Sequence, residues 1–411
     1  MTREIHEVDF ATLGQLSAGP ELSLETAIEA RLGEYPSVDT IINHLDKNLP
    51  SQHIKSDTLR KNGRLVQDSM EKYLSTRTHL SSGNFKAALN TMMHFQYDRD
   101  EAFKKELQKH KDTSHFDLST FLHECILEPT KFSRVVTEPK ASRTSHAGLD
   151  ELILFWTAQI EKEIDLLEDE AQARVYANLR KDYDEILQPD TKPTSKAKKE
   201  YIDCLKGMSA YACIKEEDKI AVDTAFKNYK GYANGILPRI VKHSKREVSM
   251  YATDPDTGLD VRIRPDAIQF RENIGLDAII SVKSSRQEKL AAFAKQCAKL
   301  NYDLSEGMYQ RVATQVTGRP FQTTLMIIVQ TVAPFAVALV AWSPYDIEVG
   351  RAKYLAASRK INEAISENRY LGFEAGAENE YGLLKMSLPA WAGHGVSLMD
   401  TETEREHSDS K

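Results

Sequence analysis

Residues 247–283 decide the fold, and they read EVSMYATDPDTGLDVRIRPDAIQFRENIGLDAIISVK. Apolar and polar residues alternate in 247–253, 259–266 and 277–283, a period of two that predicts three β-strands. The sequence DPDTG between the first two segments predicts a tight turn, because aspartate, proline and glycine favour turn conformations. The stretch therefore predicts a β-meander of adjacent strands.

A charged residue lies at the same end of each predicted strand. Glu247 opens the first strand, Asp266 ends the second and Lys283 ends the third. Mg²⁺ prefers oxygen ligands, and a divalent cation offsets the charge that develops when a phosphodiester bond is cleaved. A nearby lysine can orient the attacking water or contact the phosphate. The pattern therefore indicates a metal-dependent phosphodiester nuclease.

The rest of the chain predicts helices around these strands. A mainly helical part precedes them, a helix-like segment covers 286–316, and a final helix covers 344–367. The apolar stretch 324–342 has nearly the length of a membrane span, but Gln330 and Pro334 favour two buried strands. These elements predict an α/β (α+β) fold with a mixed central sheet flanked by helices.

The composition is that of a globular protein. The chain has 411 residues, 41% hydrophobic and 28% charged, which excludes a disordered chain, a collagen-like repeat and a coiled-coil rod. Its net charge of −7 argues against a nucleic-acid binder when the chain is taken whole. However, residues 1–40 carry −6 and residues 400–411 carry −3, so residues 41–399 carry +2. The net charge therefore does not exclude DNA.

The cysteines indicate the compartment. They are widely spaced and form no C-x-x-C pair, which argues against a zinc site or a disulfide framework. The N-terminus has no basic segment followed by an apolar run, so no secretory signal is expected. These features predict a cytoplasmic protein with reduced thiols. The four cysteines are Cys125, Cys204, Cys213 and Cys297.

Four blocks of sequence resemble the RecE-type exonucleases (exodeoxyribonuclease VIII), which have a PD-(D/E)xK restriction-endonuclease-like core. The blocks are FLHECILEPTKF (121–132), the stretch 247–283, NYDLSEGMYQ (301–310) and MSLPAWA (386–392). Their order and spacing make the resemblance more specific than any single block.

The resemblance implies a domain organisation. A divergent RecE-like nuclease domain would cover 76–397, after an acidic, mostly helical N-terminal region of unknown role at 1–75. An acidic tail, expected to be disordered, would cover 398–411.

The resemblance also implies an activity. The family implies a Mg²⁺-dependent 5′→3′ exonuclease on linear double-stranded DNA, with Mn²⁺ as a possible substitute. Its product would be single-stranded tails for annealing recombination. The implied partners are duplex DNA ends, other copies of the chain in a ring, and a single-strand-annealing protein. A bacterial or phage origin and no membrane association would follow.

The resemblance also implies roles for individual residues. Asp266 and His123 would bind metal, together with the Val282 main-chain carbonyl and Glu247. Lys283 would orient the attacking water, and Tyr309 matches the tyrosine of the family's Gln-x-x-x-Tyr helix.

Two positions depart from the family pattern. Ser281 stands where the second motif carboxylate is expected, and Ser305 replaces the glutamine of the helix motif. Asp277 is four residues from Ser281, roughly 13 Å along a strand, and is too far to substitute. Glu306 and Glu288 are alternative sources of the carboxylate. Ser281 therefore also favours an alternative, a degenerate nuclease fold that serves as a DNA-binding or assembly module; an unrelated scaffold with a chance motif is the third hypothesis.

Basic residues cluster in sequence around the predicted site. At a nuclease cleft they would contact phosphates and position DNA without reading bases. The candidates are Arg262, Arg264, Arg286 and Lys289, followed by Lys295 and Lys299.

Overall fold

A computed structural model describes residues 24–100, 117–129, 135–164, 177–178, 181, 194–209 and 212–387. The Leu-Pro-x-Trp-Ala block from residue 388 onwards and the predicted tail 398–411 lie outside the described residues. So do residues 1–23 and most of residues 165–193.

The described strands form three sheets. The largest has five strands in the order β10-β9-β8-β7-β4, in which only the β8–β9 pair is parallel. A second sheet has the order β1-β5-β6, and β2 pairs with β3 in parallel. The strands are β1 (Arg64–Val66), β2 (Val135–Thr137), β3 (Ala212–Ile214), β4 (Lys245–Arg246), β5 (Ser249–Thr253), β6 (Asp260–Ile263), β7 (Ala267–Gln269), β8 (Ala278–Ser285), β9 (Thr323–Gln330) and β10 (Val337–Ala341).

Helices flank the five-stranded sheet, so the chain has a mixed α/β fold with a mixed sheet. The helices are α1 (Leu24–Leu32), α2 (Asp39–Asp46), α3 (Met70–Ser75), α4 (Ser82–Asn90), α5 (Met92–Arg99), α6 (Asp117–Leu127), α7 (His146–Ile164), α8 (Ser195–Met208), α9 (Glu216–Gly231), α10 (Ile236–Val241), α11 (Arg271–Ile274), α12 (Leu290–Lys299), α13 (Tyr302–Thr317) and α14 (Pro344–Glu367). The final helix has the predicted bounds. The helix predicted at 286–316 is two helices, because Asn301 adopts a left-handed φ of 48° between α12 and α13.

The predicted single meander is wrong in one respect. The β5–β6 hairpin pairs with β1, whereas β7 and β8 belong to the larger sheet. The predicted strand 259–266 ends early because Pro265 has no N–H for a ladder hydrogen bond. The chain therefore passes from one sheet to the other at Glu247 and again at Asp266.

Alternating residues of β8 fill two cores. Ile279 packs with α4, α13 and α14 on one face of the sheet. Ile280 and Val282 pack with α6, α9 and α10 on the other face. This arrangement follows from the alternation of side chains along a strand, and it buries β8 between two helical layers.

The described part of the N-terminal region, residues 24–75, packs against the rest of the fold. Residues of β1 pair with β5, and Leu65 is 1% exposed within the core that includes β5 and α13. Tyr35 donates a hydrogen bond to Glu348 of α14. Residues on both sides of the predicted boundary at 75/76 thus share one core, and the domain division stays a prediction.

No helix among the described residues is long and apolar enough to cross a membrane. The stretch 324–342 instead forms β9 and β10, which pair antiparallel from Leu325–Ala341 to Val329–Val337. The prediction of two strands here is therefore correct.

Candidate active site

The two passages between the sheets place two carboxylates side by side. Glu247 lies between β4 and β5 with a φ of 53°, a left-handed conformation that non-glycine residues rarely adopt. Its backbone N–H donates to the Asp266 carbonyl at 3.1 Å. Residues held in such conformations concentrate at functional sites, where the surrounding structure maintains the strain.

Helix α6 brings His123 to these carboxylates. Leu122, Cys125 and Ile126 are buried against the sheet, so the helix presents His123 beside this apolar face. Ser284 of β8 donates its hydroxyl to that of Ser119 at 2.8 Å, which ties α6 to the strand. The helix position is thus fixed by both packing and hydrogen bonding.

His123, Glu247 and Asp266 form a cluster suited to a cation. The His123 Nε2 atom lies 3.4 Å from Asp266 Oδ1 and 3.7 Å from Glu247 Oε1. One ligand atom from each residue lies within 4.8 Å of the others. Glu247 Oε1 is buried and has no hydrogen-bond partner among the described residues. This unpaired oxygen, with an imidazole and a second carboxylate beside it, fits a divalent metal ion.

Asp266 is also bound from the β8 side. Its Oδ2 atom accepts the Val282 N–H at 2.6 Å and lies 3.2 Å from Lys283 Nζ. In a strand, the N–H and C=O of one residue leave on the same edge. The Val282 carbonyl therefore also points toward Asp266, as a metal-ligand role would require.

The charges of the cluster shift one another's pKa values. Burial would raise the pKa of Asp266, but the Lys283 and His123 charges hold it well below its usual range. Burial would lower the pKa of Lys283, but Asp266 and Glu306 raise it. Burial would also lower the pKa of His123, which the hydrogen bond to Asp266 raises instead. At neutral pH the cluster therefore contains an ionised Asp266 and a cationic Lys283.

Arg264 binds two carboxylates, those of Glu247 and Asp68. Asp68 was not predicted as a site residue. The Arg264 Nε donates to Glu247 Oε2 at 2.9 Å, and its Nη1 donates to Asp68 Oδ1 at 3.0 Å. Asp68 also accepts hydrogen bonds from Ser249 and Tyr251. The only sequence signal for Asp68 is an acidic residue shortly after a short apolar strand, the pattern that identified Asp266.

Two of the predicted phosphate contacts, Arg262 and Arg264, are engaged with groups of the protein itself. Arg262 is 6% exposed and donates to the main-chain carbonyls of Tyr73 and Thr76, because α3 covers this side of β6. The Arg264 guanidinium is paired with the Glu247 and Asp68 carboxylates. In contrast, Arg286 and Lys289 are exposed after the end of β8, and Lys295 and Lys299 are exposed on α12.

The structure distinguishes the three acidic residues considered as substitutes at Ser281. Ser281 donates its hydroxyl to Glu306 Oε1 at 2.8 Å. Asp277 is fully buried between Arg271 and Arg319, whereas Glu288 is exposed. Burial raises the pKa of Glu306 to about 7, although Lys283 and the Ser281 hydrogen bond lower it. Glu306 is thus the acidic residue in contact with the motif position.

Tyr309 lies one turn from Glu306 and packs against the core. Burial raises its pKa, as do the charges of Glu306 and Asp266, and Ser82 hydrogen-bonds to it.

Lys86 of α4 was not predicted as a site residue. Its ammonium lies 5.0 Å from the centre of the Tyr302 ring, and burial lowers its pKa to about 8. A second cation thus lies near Glu306 and Lys283.

The cluster opens into a cleft of about 660 Å³. Its walls include His123, Glu247, Val282 and Lys283, together with Asp68 and Ser69 from the N-terminal segment. His123, Glu247 and Lys283 are therefore accessible from this cleft.

The chain matches no protein-family model and no curated protein in sequence. Among solved structures it is similar to a candidate exonuclease from Eubacterium rectale, with 10% identity and a TM-score of 0.40, over 80% of this chain and 99% of that chain. It is also similar to the protein SSO0001, with 13% identity and a TM-score of 0.19, over 49% of this chain and 84% of that chain. Similarity at this level assigns neither a family nor an activity. The function proposed below therefore follows from the side chains of the site.

Proposed function

We propose that the chain is a metal-dependent nuclease of PD-(D/E)xK type that hydrolyses phosphodiester bonds in DNA. The observation that supports this most directly is the convergence of His123, Glu247 and Asp266, with Lys283 at 3.2 Å from Asp266. These residues come from α6, from the two passages between sheets and from β8. Such a set of imidazole, carboxylates and lysine suits phosphodiester hydrolysis.

Each residue has a distinct task in this proposal. Asp266, His123, Glu247 and the Val282 carbonyl would hold Mg²⁺ or Mn²⁺. The bound cation would lower the pKa of a water and offset negative charge on the phosphate. Lys283 orients the attacking water, and its ammonium remains protonated beside Asp266. Arg286 and Lys289 contact the DNA backbone from the exposed segment after β8.

The finer proposal is a 5′→3′ exonuclease that digests linear duplex DNA and leaves single-stranded tails for annealing recombination. It rests on the four sequence blocks that resemble RecE-type exonucleases. A ring of several copies, a single-strand-annealing partner and a bacterial or phage origin belong to the same proposal. Sedimentation of the full chain, with and without duplex DNA, tests the ring.

The activity is tested with linear and circular duplexes in Mg²⁺ or Mn²⁺, with label at either the 5′ or the 3′ end. We expect early release of the 5′ label from linear DNA only. Asp266→Ala and Lys283→Ala should abolish release. Glu363→Gln and Lys360→Met are matched controls, because both residues are exposed on α14.

Ser281 favours a second candidate, a degenerate nuclease fold that binds DNA without cleaving it. A neutral hydroxyl at the motif position reduces the charge available for metal binding. DNA binding without digestion in either metal would support this candidate and contradict the nuclease.

A further inference from the structure

Position 281 is the point at which the proposed nuclease site is incomplete. Ser281 and Lys283 are two residues apart in β8, so their side chains leave the same face of the strand. Ser281 is 1% exposed, and its hydroxyl donates to a carboxylate oxygen of Glu306 at 2.8 Å. The Glu306 carboxylate therefore lies directly against the end of the Ser281 side chain.

The position of the Glu306 carboxylate matches the reach of a glutamate side chain at position 281. A glutamate at position 281 would place its oxygens about 2.4 Å beyond the atom that replaces the serine Oγ, given C–C and C–O lengths of about 1.5 and 1.2 Å. Glu306 Oε1 lies 2.8 Å from that Oγ atom. Glu306 of helix α13 thus places an oxygen at a similar distance from the strand.

The second oxygen of Glu306 lacks a partner. Glu306 is 2% exposed, and its Oε2 atom is buried without a hydrogen bond among the described residues. Burial of an unpaired carboxylate oxygen is costly unless a cation satisfies it. Glu306 reaches β8 at Ser281, whose side chain shares a strand face with that of Lys283, and the charges of Glu306 and Asp266 both act on Lys283. The unsatisfied oxygen therefore belongs to a carboxylate beside the strand face that carries Lys283, whose ammonium lies 3.2 Å from Asp266.

We propose that Glu306 supplies, from α13, the acidic ligand that β8 lacks at position 281, and that Ser281 orients it through the hydrogen bond. The inference rests on the proposed function and names the residue that would make an apparently incomplete motif competent. Glu306 is outside the three-residue cluster of His123, Glu247 and Asp266.

The test is to remove the carboxylate from the helix and return it to the strand. Mn²⁺ binding to the full chain is measured by isothermal titration calorimetry, and strand cleavage is measured in parallel. Glu306→Gln should weaken Mn²⁺ binding at least about tenfold, the loss typical even for an outer-shell partner of a metal ligand. The double variant Ser281→Glu with Glu306→Ser should recover binding to within about threefold of the original protein, a range typical of context-dependent effects.

Two further variants keep the result interpretable. Glu348→Gln changes another buried carboxylate, which is 4% exposed and pairs with Arg351, so it should destabilise without weakening Mn²⁺ binding. If the first double variant does not fold, Ser281→Asp with Glu306→Ala makes the same transfer with a smaller side chain. Thermal melting establishes which variants are folded.

The outcomes separate this inference from the proposed function. Unchanged Mn²⁺ binding in Glu306→Gln, or a folded transfer variant that does not regain binding, overturns the role of Glu306. In that case the original protein would still bind Mn²⁺ and cleave DNA. Absence of both activities in the original protein would instead overturn the proposed function and this inference with it.

Discussion

Lys283 is held between two acidic groups, and this position decides what its removal should do. Its Nζ lies 3.2 Å from Asp266, while Glu306 adds a second negative charge nearby. A lysine in this position competes with a metal ion for the Asp266 carboxylate. It can therefore serve the chemical step without contributing to metal affinity.

We predict that Lys283→Met separates cleavage from binding. Single-turnover cleavage should fall by about 10²- to 10⁴-fold, the range for loss of a general acid–base group. Mn²⁺ affinity should stay equal or rise, because Asp266 loses a competing cation. Parallel loss of Mn²⁺ binding would show that Lys283 supports the metal site rather than the reaction.

Asp266→Asn tests the electrostatics of the cluster without metal. The pKa of Asp266 is lowered in the folded protein, so its charge stabilises the fold above the unfolded pKa of about 3.9 and loses this effect as the pH falls. The variant should lose about 1–3 kcal/mol at pH 7, because Lys283 and His123 lose the negative charge with which they pair. Urea unfolding in chelator at pH 7 and pH 3 measures this. The difference between the proteins should shrink at pH 3, and a more stable variant at pH 7 would contradict the ion-pair account.

At the scale of elements, the position of α13 depends on its close contact with α14. A Cβ atom at Gly350 would lie 2.0 Å from the Asp303 carbonyl oxygen, and one at Gly307 would lie 2.7 Å from the Arg351 nitrogen. Both contacts involve backbone atoms, so a side chain at either position would separate the helices. Since α13 also carries Glu306, this crossing sets the distance between Glu306 and Ser281.

Gly350→Ala should therefore affect both stability and the site. We expect a loss of about 1–3 kcal/mol from overpacking, measured by chemical denaturation, and weaker Mn²⁺ binding in the same protein. Gly207→Ala is the matched control, because a Cβ atom there meets nothing within 4 Å. The control should be neutral or gain up to about 1 kcal/mol from helix propensity. Equal stability of the two variants would mean that the helices separate without cost.

Over the whole molecule, the N-terminal segment is part of the fold. It contributes β1 to the smaller sheet and Asp68 to the cleft wall. Leu65→Ala should cost about 2–5 kcal/mol, as expected for a leucine in a packed core. Leu74→Ala, at a residue that is 52% exposed, should change stability by less than about 0.5 kcal/mol. Thermal or urea unfolding compares them, and similar small losses would indicate that β1 is peripheral.

The sequence predicted the site better than the sheets. A period of two and the position of Pro265 were enough to single out Asp266, Glu247 and Lys283 near strand ends as candidate site residues. Strand pairing, on which their convergence depends, could not be predicted, because alternation does not reveal which strands are neighbours. The burial of Arg262 and the position of Asp68 depend on contacts between residues about 190 apart in sequence, which no local pattern encodes.

The site lies on a seam between two sheets, and this has a consequence for motion. Gln67 donates hydrogen bonds to the carbonyls of Arg246 and Glu247 across the seam. A ligand shared by His123, Glu247 and Asp266 would join α6 to both passages of chain and oppose local opening there. Amide hydrogen exchange at residues 245–249 and 264–267 should then slow when Mn²⁺ is added, while exchange in helices α7 and α8 stays the same.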